Sequence, residues 1–368
     1  MTHQSTPALA LLVRMGEGTP PPPATMMSTK WFAECTKQHG LSLLYTSPLA
    51  AFESQNGLRM TGYIPDLDTN TWQPSTLHPI KAIYNRCPTS LAPKKLKELQ
   101  SIARQHQLPF GNTLEVRTLA QDKWRTQQLL EGADIQMPKT SNKWKDWRGL
   151  LSETGAFFLK PQDGAFGEGI YKIESIDTHY ILRRPPAAPV KMEAQALETW
   201  LEAQAAQHPI ILQTSVPSPF HDMQGLSIRA LTQQTPSGSW SHAPPVARVS
   251  KDDPIANVAR GANAIPLEDL LQERWGVHTS RQLIATIQAQ NERICEAMLK
   301  TLTSPRYGLI ELGLDYVLDE HKRLWLIEVN GFPQGRLIQL AKTHPDRFAT
   351  HCQQLHHQPL SSLLACAL

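Results

Sequence analysis

Gly308-Leu309-Ile310-Glu311-Leu312-Gly313-Leu314-Asp315-Tyr316-Val317-Leu318-Asp319 and, after a short polar connection, Leu324-Trp325-Leu326-Ile327-Glu328-Val329-Asn330 decide how the chain is read. Successive side chains of a strand point to opposite faces, so Ile310, Leu312, Leu314, Tyr316 and Leu318 share one buried face while Glu311 and Asp315 share the other. In the second segment Trp325, Ile327 and Val329 take the apolar face, and Glu328 and Asn330 point the other way, about 7 Å apart. Residues 319–323 suit a hairpin connection, which pairs the strands antiparallel and carries Asp315 toward Glu328 and Asn330. Carboxylates this close repel, and one pKa rises unless a cation lies between them. Mg²⁺ is the natural cation, because it takes hard oxygen ligands and shares its shell with substrate phosphates. A solvated face on an edge hairpin is the simpler alternative. The amide of Asn330 closing the strand, together with anion-binding features upstream, favours the metal.

Lys160 ends the apolar segment Phe157-Phe158-Leu159-Lys160-Pro161, and Gly164, Gly167 and Gly169 follow in the loop before a second strand at residues 169–173. Glycines let backbone N–H groups approach phosphate oxygens, and a lysine supplies the compensating charge. The G-x-x-G-x-G spacing matches neither a dinucleotide fingerprint nor a Walker loop, so a merely flexible hairpin remains the other reading. Lys123 is a second candidate cation. Arg229, within the strand pattern at residues 226–231, and Arg248, within that at 246–250, each sit between apolar neighbours. A guanidinium so placed has either an anionic ligand or a structural ion pair. Asn257, Arg260 and Gly261 add a polar loop after Arg248.

At 368 residues and 40% hydrophobic content, the chain can bury two or three cores without disulfide or metal support, which excludes a disordered protein. Lys+Arg number 36 against 33 Asp+Glu, a net charge of +3 without blocks of like charge, which argues against nucleic acid or a membrane as partner. Cys35, Cys87, Cys295, Cys352 and Cys366 form no C-x-x-C pair and read as reduced thiols of a cytoplasmic protein. The apolar run at residues 8–13 is too short for a membrane span and lacks the flanks of a signal peptide, so it is a buried first strand. Strands at 41–45 and 81–85 and a helix at 26–39 complete an N-terminal α/β unit. Further helices are expected at 120–132, 144–153, 191–207 and 280–302, and strands at 210–216, 226–234 and 240–250. The last dozen residues read as a short helix or a frayed tail. In the C-terminal group His351, Cys352, His356 and His357, the five-residue separation of His351 and His356 is poor helical spacing for two metal ligands, and the group is read as solvated.

Taken in order, these segments resemble an ATP-grasp protein, and specifically the YheC/YheD family associated with endospore coats. The residues carrying the resemblance are Phe158-Leu159-Lys160-Pro161 with the glycine loop, Leu212-Gln213, Arg229, and Arg248 with Asn257 and Gly261. Glu311-Leu312-Gly313-Leu314-Asp315, Leu326-Ile327-Glu328-Val329-Asn330 before Pro333, and Tyr84-Asn85-Arg86 complete it. The resemblance implies an α/β (α+β) ATP-grasp fold: an N-terminal α/β domain at residues 1–115, a small subdomain with a glycine-rich lid at 116–215, and a C-terminal subdomain with the metal site at 216–368. It also implies that Lys123 and Lys160 contact phosphates beneath Gly164, Gly167 and Gly169, that Gln213, Ser215 and Val216 line the adenine pocket, and that Asp222 reaches the ribose. Arg229 and Arg248 would meet the γ-phosphate and an acyl-phosphate formed from it, and Asp315, Glu328 and Asn330 would hold one or two Mg²⁺ ions. In the family an acid often precedes the strand arginine. Here Ser227 stands in that place, which leaves the acidic partner of Arg229 unidentified.

The activity so implied is ATP- and Mg²⁺-dependent carboxylate–amine ligation of small molecules such as amino acids or peptides, by a cytoplasmic protein with a homodimer as the default oligomer. Positioning and charge neutralisation carry such chemistry, without a cysteine or serine nucleophile. A small-molecule kinase of the same fold and a non-catalytic nucleotide-binding coat or assembly protein are the alternatives. By position, Asn85, Arg86 and the loop near Asn112 are expected in the pocket of the second substrate.

Overall fold

The apolar run near the start of the chain becomes β1 (Ala8–Leu12), buried along its whole length. The computed structural model describes residues 6–16, 18–22, 26–88, 90–164, 167–184, 186–223, 225–251, 253–256, 261–303, 308–333 and 337–365. After α1 (Met26–Gln38), β2 (Ser42–Thr46) lies parallel to β1. β3 (Phe52–Glu53), β4 (Arg59–Asp66), β5 (Thr71–Asn85), α2 (Pro93–Gln105) and β6 (Phe110–Gly111) complete a six-stranded sheet of order β3-β4-β2-β1-β5-β6. Sequence patterning finds only the last five residues of β5. Its outer part is largely exposed and carries Pro74 and Pro79, so no apolar alternation announces it.

The helix expected at 120–132 is two, α3 (Leu114–Gln121) and α4 (Lys123–Glu131). Asp122 separates them in an extended conformation and caps α4, its carboxylate accepting from the Arg125 amide at 3.0 Å. A second, antiparallel sheet follows, built from β7 (Thr140–Ser141), α5 (Trp147–Thr154), β8 (Ala156–Pro161), β9 (Tyr171–Ile176), β10 (His179–Arg184), β11 (Ala187–Met192), α6 (Ala194–Gln207) and β12 (Ile210–Thr214). Its order is β11-β10-β9-β8-β12-β7. Lys191 and Met192, expected in the helix, belong to β11 instead.

The third sheet holds β13 (Gly225–Gln234), β14 (Trp240–His242), β15 (Val246–Ser250), β16 (Asn263–Pro266), the long α7 (Leu267–Leu299), β17 (Glu311–Leu318) and β18 (Leu324–Asn330). The order is β16-β15-β13-β17-β18, with β14 paired to β13. The single strand expected at 240–250 is divided because Pro244 and Pro245 have no N–H for a ladder. α7 starts well before the expected residue 280 and bends at Gly276, whose φ is 80°.

The chain closes with α8 (Leu337–Thr343) and α9 (Pro345–Leu364). As far as Ala365 the tail is therefore part of a long helix: Leu360, Leu363 and Leu364 lie on one helical face and pack with Leu9, Leu11, Tyr84 and Ile310 against the first sheet. His356 is half-buried, its ring 4.8 Å from those of Trp31 and Phe32, and this partial burial pulls its pKa down to about 4. Cys35, Cys87, Cys295 and Cys352 are buried thiols, and among the described residues no helix is long and apolar enough to cross a membrane.

β17 and β18 pair antiparallel with Asp315 opposite Glu328 and Gly313 opposite Asn330, as the alternation predicts. One expectation fails. A bulge after Asp315 makes Tyr316 face Leu326, so Ile327 is an extra residue and the alternation shifts. Leu324, Leu326 and Val329 thus enter the core, whereas Trp325 and Ile327 do not share that face. Both faces of β17 are enclosed, Glu311 and Asp315 being as buried as the leucines.

Candidate functional site

The second and third sheets, with α3, enclose a cavity of about 580 Å³. Phe158 and Lys160 share one face of β8 by strand alternation and line it together. Lys172 of β9, Gln213 and Thr214 of β12, Ser215 and Val216 beyond it, and Arg229, Arg248, Asp315, Glu328 and Asn330 of the third sheet complete the polar wall. Among the described lining residues, Arg117, Lys160, Lys172, Arg229 and Arg248 face only two acids, Asp315 and Glu328. A concave surface with that excess of positive charge suits a polyanion.

Asp315 is the electrostatic centre. Arg229 lies directly across the ladder from it and donates from Nε and Nη2 to Oδ1 and Oδ2 at 2.5 and 2.9 Å. Arg248 donates from Nη2 to Oδ1 at 3.0 Å. Burial alone would raise the Asp315 pKa, but the two guanidiniums outweigh it and hold the carboxyl at about 2. The acidic partner of Arg229 is thus this cross-strand aspartate. Ser227 serves the other arginine, accepting from Arg248 Nε at 2.9 Å while donating to the Ala256 carbonyl at 3.1 Å.

Glu328 stands opposite Asp315 and lies 3.5 Å from Lys123 Nζ, which also donates to the Gly164 carbonyl at 3.0 Å. Lys123 is held there because its own amide donates to the Gln162 carbonyl at the end of β8. Asn330 donates from Nδ2 to Asp315 Oδ2 at 3.4 Å. Two carboxylates and an amide oxygen on adjacent strands are the hard donors Mg²⁺ prefers, and the set is sparse enough to leave coordination positions for phosphate oxygens and water. Both Asp315 oxygens are engaged by arginine, so Glu328 and Asn330 are the donors facing the cavity most freely.

Lys160 Nζ donates to Gln213 Oε1 at 2.5 Å, and Gln213 Nε2 donates to Thr140 Oγ1 at 3.2 Å. Burial depresses the Lys160 pKa to about 8, with Glu328 opposing the shift in part. The folded protein therefore disfavours the charged amine, and its stability rises with pH from about 8 toward the ordinary lysine value. A bound phosphate would restore the proton. Nucleotide affinity is expected to be flat below about pH 7.5 and to fall by up to about tenfold per pH unit above pH 8. Calorimetry across that range checks this, and Lys160→Met should bind weakly with the pH dependence removed.

Of the other expected residues, Gly164, Gly167, Ser215 and Val216 line the cavity. Gly169 lies off it but has φ +68°, and a Cβ there would come within 2.8 Å of Pro161, so only glycine fits this turn of the loop. Asp222 is exposed on a turn, and its neighbours His221 and Met223 line the cavity in its place. Asn257 and Arg260 lie outside the described residues, as do Ala165 and Phe166 of the glycine loop.

Asn85, Arg86 and Asn112 do not line the cavity; Pro88 and Ser90 do. Arg86 and Tyr84 instead donate to Glu311 Oε1 at 2.9 and 2.7 Å, and Asn112 clips β17 to the end of β18. Sequence reading also passes over Arg117, Lys172, Ile327 and Phe332 of the lining. Only Phe158 carried a usable signal, standing two residues before Lys160.

A family model described as YheC/D like ATP-grasp matches residues 116–357. Endospore coat-associated protein YheC of Bacillus subtilis is 22% identical over 342 residues, covering 85% of this chain and 90% of its own. D-alanyl-alanine synthetase A from Vibrio cholerae superposes with a TM-score of 0.56 at 15% identity, covering 97% of this chain and 99% of its own. The ATP-grasp ligase PsnB, in complex with a phosphomimetic variant of its minimal precursor, Mg and ADP, gives a TM-score of 0.54 at 14% identity, covering 98% and 100%. At these identities the two structures show a shared fold.

Proposed function

Because the chain belongs to the YheC/D-like ATP-grasp family, we propose that it is an ATP- and Mg²⁺-dependent ligase that joins a small-molecule carboxylate to an amine through an acyl-phosphate, releasing ADP and phosphate. The observation that carries the reading is Asp315 clamped by Arg229 and Arg248 opposite Glu328 and Asn330, on the wall of a cavity rich in cations. Phosphoryl transfer needs charge neutralisation and alignment more than a protein nucleophile, and this wall would supply both.

Lys160, Lys123 and Lys172 would neutralise the polyphosphate beneath the glycine loop, while Phe158, Gln213, Ser215 and Val216 would enclose the base. The donors of Arg229 and Arg248 that Asp315 and Ser227 leave free would meet the γ-phosphoryl oxygens and the acyl-phosphate that replaces them. Mg²⁺ held by Asp315, Glu328 and Asn330 would neutralise the polyphosphate during transfer.

Ligase names among the structural relatives support this choice of reaction over the other chemistries of the fold. The test is to incubate the protein with ATP, Mg²⁺ and a panel of amino acids and peptides, and to follow ADP and new amide masses together. Both should appear only when a carboxylate and an amine are present. ADP with a phosphorylated alcohol would replace ligation by a kinase activity, and nucleotide binding without turnover would favour a non-catalytic assembly role.

A further inference from the structure

Arg117 lies in the middle of α3, where it is 3% exposed, and its Nε and Nη1 have no hydrogen-bond partner. It also lines the cavity. Among the described residues its one direct contact with a partner is the ring of Phe332, whose centroid lies 5.0 Å from the guanidinium carbon, while Glu311 acts on it without a hydrogen bond. Glu311, the nearest acid acting on it, is directed elsewhere: Oε1 accepts from Tyr84 and Arg86, and Oε2 from Gln233 at 3.1 Å. Burial, aided by the like charge of Arg86 and opposed in part by Glu311, lowers the Arg117 pKa to about 10. A buried cation left unpaired is strongly unfavourable, and an arginine serving the fold alone would be expected to have a partner.

Its place explains what could pair with it. Gly331 follows Asn330 directly, and a Cβ on Gly331 would lie 3.0 Å from Arg117 Cα, so α3 packs against the chain just past the proposed metal ligands. Pro88 and Ser90 of the N-terminal unit also line the cavity. Resting on the ligase reading, we propose that Arg117 anchors a carboxylate of the amine-bearing substrate, one not consumed in the reaction, so that this substrate is an amino acid or peptide with a free carboxylate. Attack on phosphorus belongs where Arg229 and Arg248 meet the transferred phosphoryl group, so a carboxylate paired with Arg117 is not the one consumed.

The experiment uses the full chain with Mg²⁺ and a non-hydrolysable ATP analogue, and acetate as the probe. Melting temperatures are compared in sodium acetate and sodium chloride at equal ionic strength for the parent, Arg117→Met and Arg117→Lys. Acetate should raise the parent's melting temperature by about 2 °C or more over chloride, Arg117→Lys by less, and Arg117→Met not at all. In chloride without nucleotide, Arg117→Met should melt as high as the parent or higher, because an unpaired buried charge has been removed. In the product assay, acceptors with an amidated carboxyl should turn over at least about 100-fold more slowly than the free acids. Equal responses to acetate and chloride in the parent, equal turnover of amides and acids, or an Arg117→Met protein that melts several degrees low or fails to fold would each overturn the proposal. Nucleotide uptake by the parent separates the two readings: if it is absent, the ligase reading itself fails.

Discussion

Glu328→Gln is expected to lower ADP formation by at least about 100-fold while the protein melts within about 2 °C of the parent. The substitution keeps the shape of the side chain and its place opposite Asp315 but removes the charge that a divalent ion and Lys123 would share. In the empty protein little is lost. The glutamate is 27% exposed and its contact with Lys123 is 3.5 Å long, so the pair contributes less than about 1 kcal/mol. In the transition state the same carboxylate would hold the ion that offsets charge on the transferring phosphoryl group, and an electrostatic contribution of that kind is commonly a hundredfold or more in rate. Steady-state ADP release and a thermal melt on the same preparation check both halves. A variant as active as the parent would remove Glu328 from the metal site.

Asn112→Ala should be the most destabilising single change described, costing about 3–5 kcal/mol and several degrees of melting temperature. The Asn112 amide donates to the carbonyls of Glu311 and Gly331 at 2.6 and 2.9 Å, and accepts from the amides of Ile310 and Glu311 at 2.7 and 3.2 Å. All of these groups are buried in the join between the first sheet and the β17–β18 pair, and alanine would leave them without partners. Because Gly331 follows Asn330, loosening this clip should also raise the nucleotide Kd. Chemical denaturation of parent and variant measures the cost; a difference below about 1 kcal/mol would mean that apolar packing alone sets the join.

The sequence carried the final hairpin because three independent signals coincided there: period-two alternation, a connection of hairpin length, and oxygen donors confined to one face. What it could not carry was anything set by register between distant strands. Arg229 and Asp315 were both legible as candidates, but their pairing depends on β13 lying beside β17, strands joined through some eighty residues of other structure. The bulge at Ile327 is invisible for a related reason, since a bulge answers to the partner strand and leaves no mark in composition. Arg86 looked like a substrate residue and proved to be the counter-charge of Glu311, an acid that alternation had placed beside Asp315. Arg117 gave no signal because an arginine inside an amphipathic helix is normally solvated, and only its burial sets it apart.

The most direct test of the account is calorimetric titration of a non-hydrolysable ATP analogue into the parent and Glu328→Gln proteins, each with Mg²⁺ and with chelator. Mg²⁺ should tighten nucleotide binding by at least about tenfold in the parent and leave Glu328→Gln nearly unaffected. Nucleotide uptake indifferent to Mg²⁺ in the parent, or equally Mg²⁺-dependent in both proteins, would contradict it.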